Sequence, residues 1–213
     1  MARKPTHKKA SDGDVRRLLK RYSCPMPFHA VRAFFLGRIV NPKIDTRPVQ
    51  ALEYLWDGDM PEFESLDDAN ELMNALINGL WNRLTRHQDR KHPFRLTPLP
   101  PPADKEGITH FARMRVEELE AFVNGLFGDD EALDLPESAH DALGNLGDLR
   151  SFFGAFVQFA DEYEASDEIN DALSNLQQLS IIAGKEINRA VLSCARARRA
   201  VLEAMLTTAP TRH

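Results

Sequence analysis

The segment from Ser65 to His87, SLDDANELMNALINGLWNRLTRH, decides the fold class of this chain. Apolar residues recur in it at steps of three and four, which is the period of one face of an α-helix. They are Leu66, Ala69, Leu72, Met73, Leu76, Ile77, Leu80, Trp81 and Leu84. Ser65 stands just before them, and Asp68 follows it by three residues, an arrangement typical of a helix start. The pattern predicts an amphipathic core helix that ends near His87.

The helical period continues on both sides of this segment. Upstream, it predicts a helix from about Pro27 to Ile39, which ends at Asn41 because the residue before a proline is kept out of the helical region. Downstream, it predicts helices over about 108–127, 136–164 and 166–206. No stretch shows the alternation of a β-strand. The sequence therefore predicts an all-α multi-helix bundle with a long C-terminal helix.

A proline-rich segment, residues 89–106, separates two helical halves. It contains Pro93, Pro98, Pro100, Pro101 and Pro102. This density opposes helix and predicts an extended, semi-rigid linker. The linker divides the chain into subdomains at 22–88 and 107–206, with a tail at 207–213, and leaves open whether they share one core. A polyproline ligand for an aromatic groove is the alternative interpretation.

Charge is unevenly distributed along the chain. Residues 1–21 carry eight basic and two acidic residues, so this part is +6 while the remainder is −11. We predict a basic, flexible N-terminal arm, either simply solvated or in contact with nucleic acid, an acidic partner or the rest of the chain. With an arginine patch near the C-terminus, the candidate contacts for nucleic acid or a partner are Lys8, Lys9, Arg16, Arg17, Lys20, Arg21, Arg196, Arg198 and Arg199.

The composition of the chain bears on the cellular compartment in which the protein works. The longest apolar stretches fall far short of the roughly 18 residues that a membrane span needs, and no secretory signal is recognisable. We therefore predict a cytoplasmic protein without membrane contact. Its cysteines, Cys24 and Cys194, are too few for a disulfide framework and lack zinc-finger spacing. A cation near Cys194 would lower the pKa of its thiol, but a buried structural thiol is the favoured interpretation.

Motifs for catalysis and cofactor binding are absent from the sequence. It has no signature of nucleotide-binding, metalloprotease or hydrolase sites. The best metal-like cluster is His87, Asp89 and His92, with His110 beyond the linker; the first two histidines are five residues apart and do not share a helical face. We assign no catalytic, cofactor-binding or metal residue. For an enzyme with an unrecognised site, His29, His87 and His110 would be the candidates.

A family resemblance is carried by five segments of the first half: PFHAVRAFFLG at 27–37, Asn41-Pro42, ALEYLWDG at 51–58, PEFE at 61–64, and Trp81-Asn82. In this order they resemble the YecA/YgfB-like family of uncharacterised bacterial all-helical proteins, and the likeness extends loosely over residues 24–160. The chain departs from the family in lacking a tryptophan in the second-half helix and a cysteine-rich zinc-binding extension. The resemblance implies a bacterial, cytoplasmic, all-α protein, and it carries over no active-site residue.

These observations favour a non-enzymatic protein-interaction or regulatory module that docks an unknown protein partner. The alternatives are a nucleic-acid-associated protein that uses the basic arm and the arginine patch, and an enzyme with an unrecognised site. A seam of small residues, Ala183, Ala190, Cys194 and Ala197, would suit a homodimer through the C-terminal helix as well as packing within the chain.

Overall fold

A computed structural model describes residues 10–43, 47–100, 104–159 and 166–208. In these residues the regular structure is helical and no strand occurs, which confirms the all-α prediction. The helices are α1 (Asp12–Arg21), α2 (Phe28–Val40), α3 (Pro48–Glu53), α4 (Leu66–Met73), α5 (Asn82–Leu84), α6 (Lys105–Phe127), α7 (Glu137–Phe159) and α8 (Ser166–Thr208). A 3₁₀ turn, Tyr54–Trp56, follows α3, and another, Thr85–Gln88, follows α5.

The segment that decides the fold class begins as predicted but contains an unpredicted π-helical stretch. The Ser65 hydroxyl accepts a hydrogen bond from the Asp68 amide at 3.1 Å and so caps α4. Residues Asn74–Trp81 then widen into a π-helix before α5 resumes the α-helical path. The apolar face survives this change, because Leu76 and Leu80 stay buried in the core.

Helix α1 replaces the predicted flexible arm over residues 12–21. Ser11 and Asp14 form a reciprocal capping box at its start, and Val15, Leu18 and Leu19 are buried against the body. These three apolar residues stand among charged neighbours in the sequence. The high charge of the segment therefore indicates a flexible arm, although the segment forms a packed helix. Lys8 and Lys9 lie outside the described residues.

The tightest contact in the core joins α2 to α6. A Cβ atom added to Gly37 would lie 2.3 Å from the Phe122 carbonyl oxygen, and one added to Gly125 would lie 2.1 Å from the Phe34 oxygen. The two backbones therefore approach as closely as only glycine allows. Because α2 precedes the proline-rich segment and α6 follows it, the two predicted halves share one core.

Helix α8 is continuous and about 64 Å long at 1.5 Å per residue. The inner part of its small-residue seam, Ala183, Ala190 and Cys194, is fully buried against the rest of the chain. Its last two turns, residues 200–207, are exposed. No helix within the described residues is both long and apolar enough to cross a membrane.

Candidate functional site

Residues 93–97 of the proline-rich segment form a strap that side chains hold against the body. The Phe94 amide donates to Asn188 Oδ1 at 2.7 Å, and the Phe94 carbonyl accepts from Asn188 Nδ2 at 2.9 Å. The Thr97 amide donates to Glu118 at 2.8 Å, and its carbonyl accepts from Arg115 at 2.9 Å. An amide side chain can donate and accept at once. Asn188 therefore forms with the Phe94 backbone the two hydrogen bonds that a residue of a neighbouring β-strand would form.

A buried ion pair fixes one end of the strap. Arg115 Nη1 lies 2.5 Å from Glu118 Oε2, and these side chains are only 5% and 0% exposed. Arg115 Nε also donates to Ser180 Oγ of α8 at 3.1 Å. Buried charges are tolerated when they are paired and hydrogen-bonded, and here both charges also satisfy the Thr97 backbone. The strap is therefore a packed part of the fold rather than a spacer.

The strap is extended and runs antiparallel to α8. Phe94 is bonded to Asn188, while Thr97 lies near Ser180 through Arg115. Those α8 residues are about 12 Å apart along the helix axis. The backbone partners alternate as in an extended segment, since Phe94 bonds to α8 whereas Arg95 and Thr97 bond to side chains of α2 and α6. Pro98 favours the same conformation for the residue before it.

A groove of about 710 Å³ lies between the strap and α8. Its lining is Arg90, Pro93, Phe94, Arg95, Leu96, Ser180, Ile181, Gly184, Lys185, Asn188, Arg189 and Leu192. The apolar part includes Ile181, which is 53% exposed. Gly184 leaves room in the middle, because a Cβ atom there would meet nothing within 4 Å. The arrangement is a trough with an aliphatic surface that is accessible to a ligand.

Basic side chains surround this aliphatic surface. Arg189 is paired with Asp141 at 3.0 Å and with Glu186 at 3.5 Å. Among the described residues, no carboxylate lies within ion-pairing distance of Arg90, Arg95 or Lys185, and all three are exposed. On a chain with a net charge of −5, the groove is thus a local concentration of unpaired positive charge.

The sequence-predicted contacts of the N-terminal region are largely engaged within the protein. Arg17 pairs with Glu71, and Arg21 pairs with Asp68, each at 2.9 Å. The Arg16 guanidinium lies 4.5 Å from the centre of the Phe28 ring. Lys20 is exposed on α1.

The C-terminal arginines bond to main-chain carbonyls. Arg198 donates to the Ile39 carbonyl at 3.0 Å, and Arg199 donates to the Gln88 carbonyl at 3.4 Å. Arg196 donates to the Leu192 carbonyl of its own helix. Arg16 and Arg198 thus lie near opposite ends of α2, about 17 Å apart along its axis. In the part of the chain that the structure describes, Arg16 and Arg198 are therefore not neighbours on one surface.

The three candidate histidines occupy separate environments. His29 Nε2 lies 2.6 Å from Glu117, between α2 and α6, whereas His110 is exposed on α6. His87 is buried, donates Nδ1–H to the His92 carbonyl at 2.7 Å and meets the Phe94 ring edge-on. Burial lowers the pKa of His87. Within the described part of the chain, no group of three metal-ligating side chains could hold an ion.

Both thiols are structural. Burial raises the pKa of Cys24 and of Cys194 to about 11, so both stay protonated at neutral pH. The Cys24 thiol donates to the Leu55 carbonyl at 3.3 Å. The alternative of a cation-activated Cys194 is therefore wrong, because desolvation determines its pKa.

Sequence reasoning missed the groove because its cations come from two distant segments. The available signal was the spacing of Lys185 and Arg189 beside Ile181 on one face of α8, together with Arg90 and Arg95 around a buried phenylalanine. Comparisons of the chain with protein-family models, curated proteins and solved structures found no match.

Proposed function

We propose that this chain is a non-enzymatic protein-interaction module that binds an acidic, partly aliphatic segment of a partner protein in the groove between the strap and α8. The observation that carries the proposal is the set of three unpaired cations, Arg90, Arg95 and Lys185, around an accessible aliphatic surface. Complementary charge speeds association and selects the partner, whereas burial of aliphatic surface supplies affinity.

The lining favours a peptide over a nucleic acid. Proteins that bind single-stranded nucleic acid combine a basic groove with aromatic side chains on which bases stack. The aromatic side chain of this groove, Phe94, is 2% exposed and offers no stacking surface. The accessible apolar side chains are aliphatic instead, which suits leucine, isoleucine or valine of a partner. Nucleic-acid association is the competing outcome of the experiment below.

The lining also favours binding over chemistry. Its described residues include no histidine, cysteine or carboxylate, and the hydroxyl of Ser180 donates to the Leu176 carbonyl at 2.8 Å. Membership of the YecA/YgfB-like family and a bacterial origin are part of this proposal, because a helical family without an assigned active site is compatible with an interaction role.

Selection from a displayed peptide library tests the proposal. The full chain is compared with Arg95→Glu/Lys185→Glu, in which two groove cations are reversed, and with the matched control Arg113→Glu, which reverses an exposed cation on α6 outside the groove lining. We expect the wild type and the control to enrich peptides rich in Asp, Glu and Leu, and the double variant to lose them.

Two results would contradict the proposal. One is enrichment of the same peptides by the double variant, which would place binding elsewhere. The other is groove-dependent binding of a single-stranded oligonucleotide without any peptide enrichment, which would favour the nucleic-acid alternative. Circular dichroism of each variant establishes that it is folded.

A further inference from the structure

The strap leaves one pair of backbone groups open toward the groove. In an extended segment, residues two apart direct their N–H and C=O groups to the same edge. Phe94 directs both groups to Asn188 on α8, so Leu96 directs its groups to that same edge. Among the described residues, none forms a hydrogen bond with the Leu96 backbone, and Leu96 lines the groove. Asn188 thus satisfies the backbone groups of Phe94, as a neighbouring strand would, and the backbone groups of Leu96 remain available to a ligand.

The geometry points to an extended ligand: an acidic peptide strand that lies along the groove, exchanges main-chain hydrogen bonds with Leu96, and alternates aliphatic with acidic residues. This inference rests on the proposed function and specifies its ligand. Main-chain pairing with an exposed edge is a general mode of peptide recognition, in which side-chain pockets add specificity at alternate positions.

The dimensions of the groove set the length of the ligand. Ile181 and Leu192 bound the groove on α8, but Asn188 already fills the position opposite Phe94, so the open part runs from Ile181 to Asn188, about 10 Å along the helix axis. An extended peptide covers that distance with about three residues at 3.3 Å each. Successive side chains of such a peptide point to opposite faces, so every second one meets the aliphatic surface while the others face Arg95 and Lys185. A helical ligand would instead need aliphatic residues at steps of three and four.

Two labelled peptides of identical composition distinguish these ligands. One alternates Leu with Asp or Glu, and the other places the leucines at helical spacing. Fluorescence anisotropy with the full chain should show tighter binding of the alternating peptide by about tenfold, since only it presents both faces correctly. Tighter binding of the helically spaced peptide would overturn the inference. If Arg95→Glu/Lys185→Glu abolishes that binding, the proposed function still stands. If the double variant binds both peptides as tightly as the wild type does, the inference and the proposed function are both overturned.

N-methylation of single amides tests the main-chain pairing. Loss of one paired amide should weaken binding by up to about tenfold, in line with the net contribution of one hydrogen bond. Sensitivity should therefore be confined to one amide of the alternating peptide, because within the strap only Leu96 offers a carbonyl that is open toward the groove. Uniform sensitivity, or none, would refute the pairing.

A pair of strap variants tests the protein side. Leu96→Pro removes the open N–H while keeping an extended backbone, and Leu96→Ala keeps the N–H but loses aliphatic surface. We expect both variants to weaken binding, and Leu96→Pro to stay sensitive to N-methylation of the same peptide amide, because the Leu96 carbonyl that accepts from that amide is kept. Unchanged peptide affinity in Leu96→Pro would overturn the inference.

Discussion

Substitution of Gly37 by alanine should destabilise the fold through the crossing of α2 and α6. The added methyl group would lie 2.3 Å from the Phe122 carbonyl oxygen and 2.5 Å from the Leu126 amide nitrogen, whereas ordinary contact begins at 3.4 Å. Both obstacles are backbone atoms of α6, which cannot rotate away as a side chain can. The two helices must therefore part by roughly 1 Å, with loss of dispersion contacts along the interface.

The magnitude follows from two opposing effects. Overpacking a closely packed site costs about 1–3 kcal/mol and occasionally more. Alanine is favoured over glycine inside a helix by about 1 kcal/mol, which offsets part of that cost. Because the clash here is with backbone, we expect the upper part of the range and a net decrease of about 2 kcal/mol in the free energy of unfolding.

Urea unfolding followed by far-UV circular dichroism measures this change. The matched control is Gly144→Ala on α7, where the new Cβ atom would meet nothing within 4 Å. It should raise the free energy of unfolding by about 0.5–1 kcal/mol. If Gly37→Ala proves as stable as the wild type, or shifts in the same direction as the control, the close crossing of α2 and α6 is refuted.

Further predictions concern the strap and the groove. Glu118→Ala should lower the free energy of unfolding by about 3–5 kcal/mol in urea, because it leaves Arg115 buried without its partner; a loss below about 1 kcal/mol would contradict the buried pair. Burial lowers the pKa of His87 from its ordinary 6.5, so the unfolded chain binds this proton more readily. Stability should therefore be full above pH 6.5 and fall as the pH drops toward the lowered pKa, and His87→Gln should flatten that part of a pH series of melting curves. Gly184→Ala should raise the melting temperature slightly while weakening peptide binding in anisotropy titrations, since its methyl group occupies the groove; unchanged affinity would show that the ligand lies elsewhere.

The sequence predicts local features of this fold well. The cap at Ser65, the apolar period of α6 and the length of the C-terminal helix α8 all follow from interactions within one helix. Each depends on residues a few positions apart, where spacing alone carries the information.

The site depends on contacts that spacing does not reveal. Phe94 and Asn188 are 94 residues apart, and Arg32 reaches Thr97 across 65 residues. A proline-rich segment has the same composition whether it is a free spacer or is bound by side chains of three helices. The strap, and with it the groove, therefore could not be derived before those helices were placed around it.

The pairing of α2 with α6 has a consequence for synthesis. The Asn41 side chain donates to the Leu126 carbonyl across 85 residues, so α2 acquires its main packing partner only after α6 has been made. At roughly 5–20 residues per second, the interval is about 4–17 s. During that time the face of α2 that carries Phe34, Gly37 and Asn41 lacks the surface that later covers it. We therefore expect a fragment of the first 88 residues to be aggregation-prone, because this apolar face of α2 stays uncovered in it.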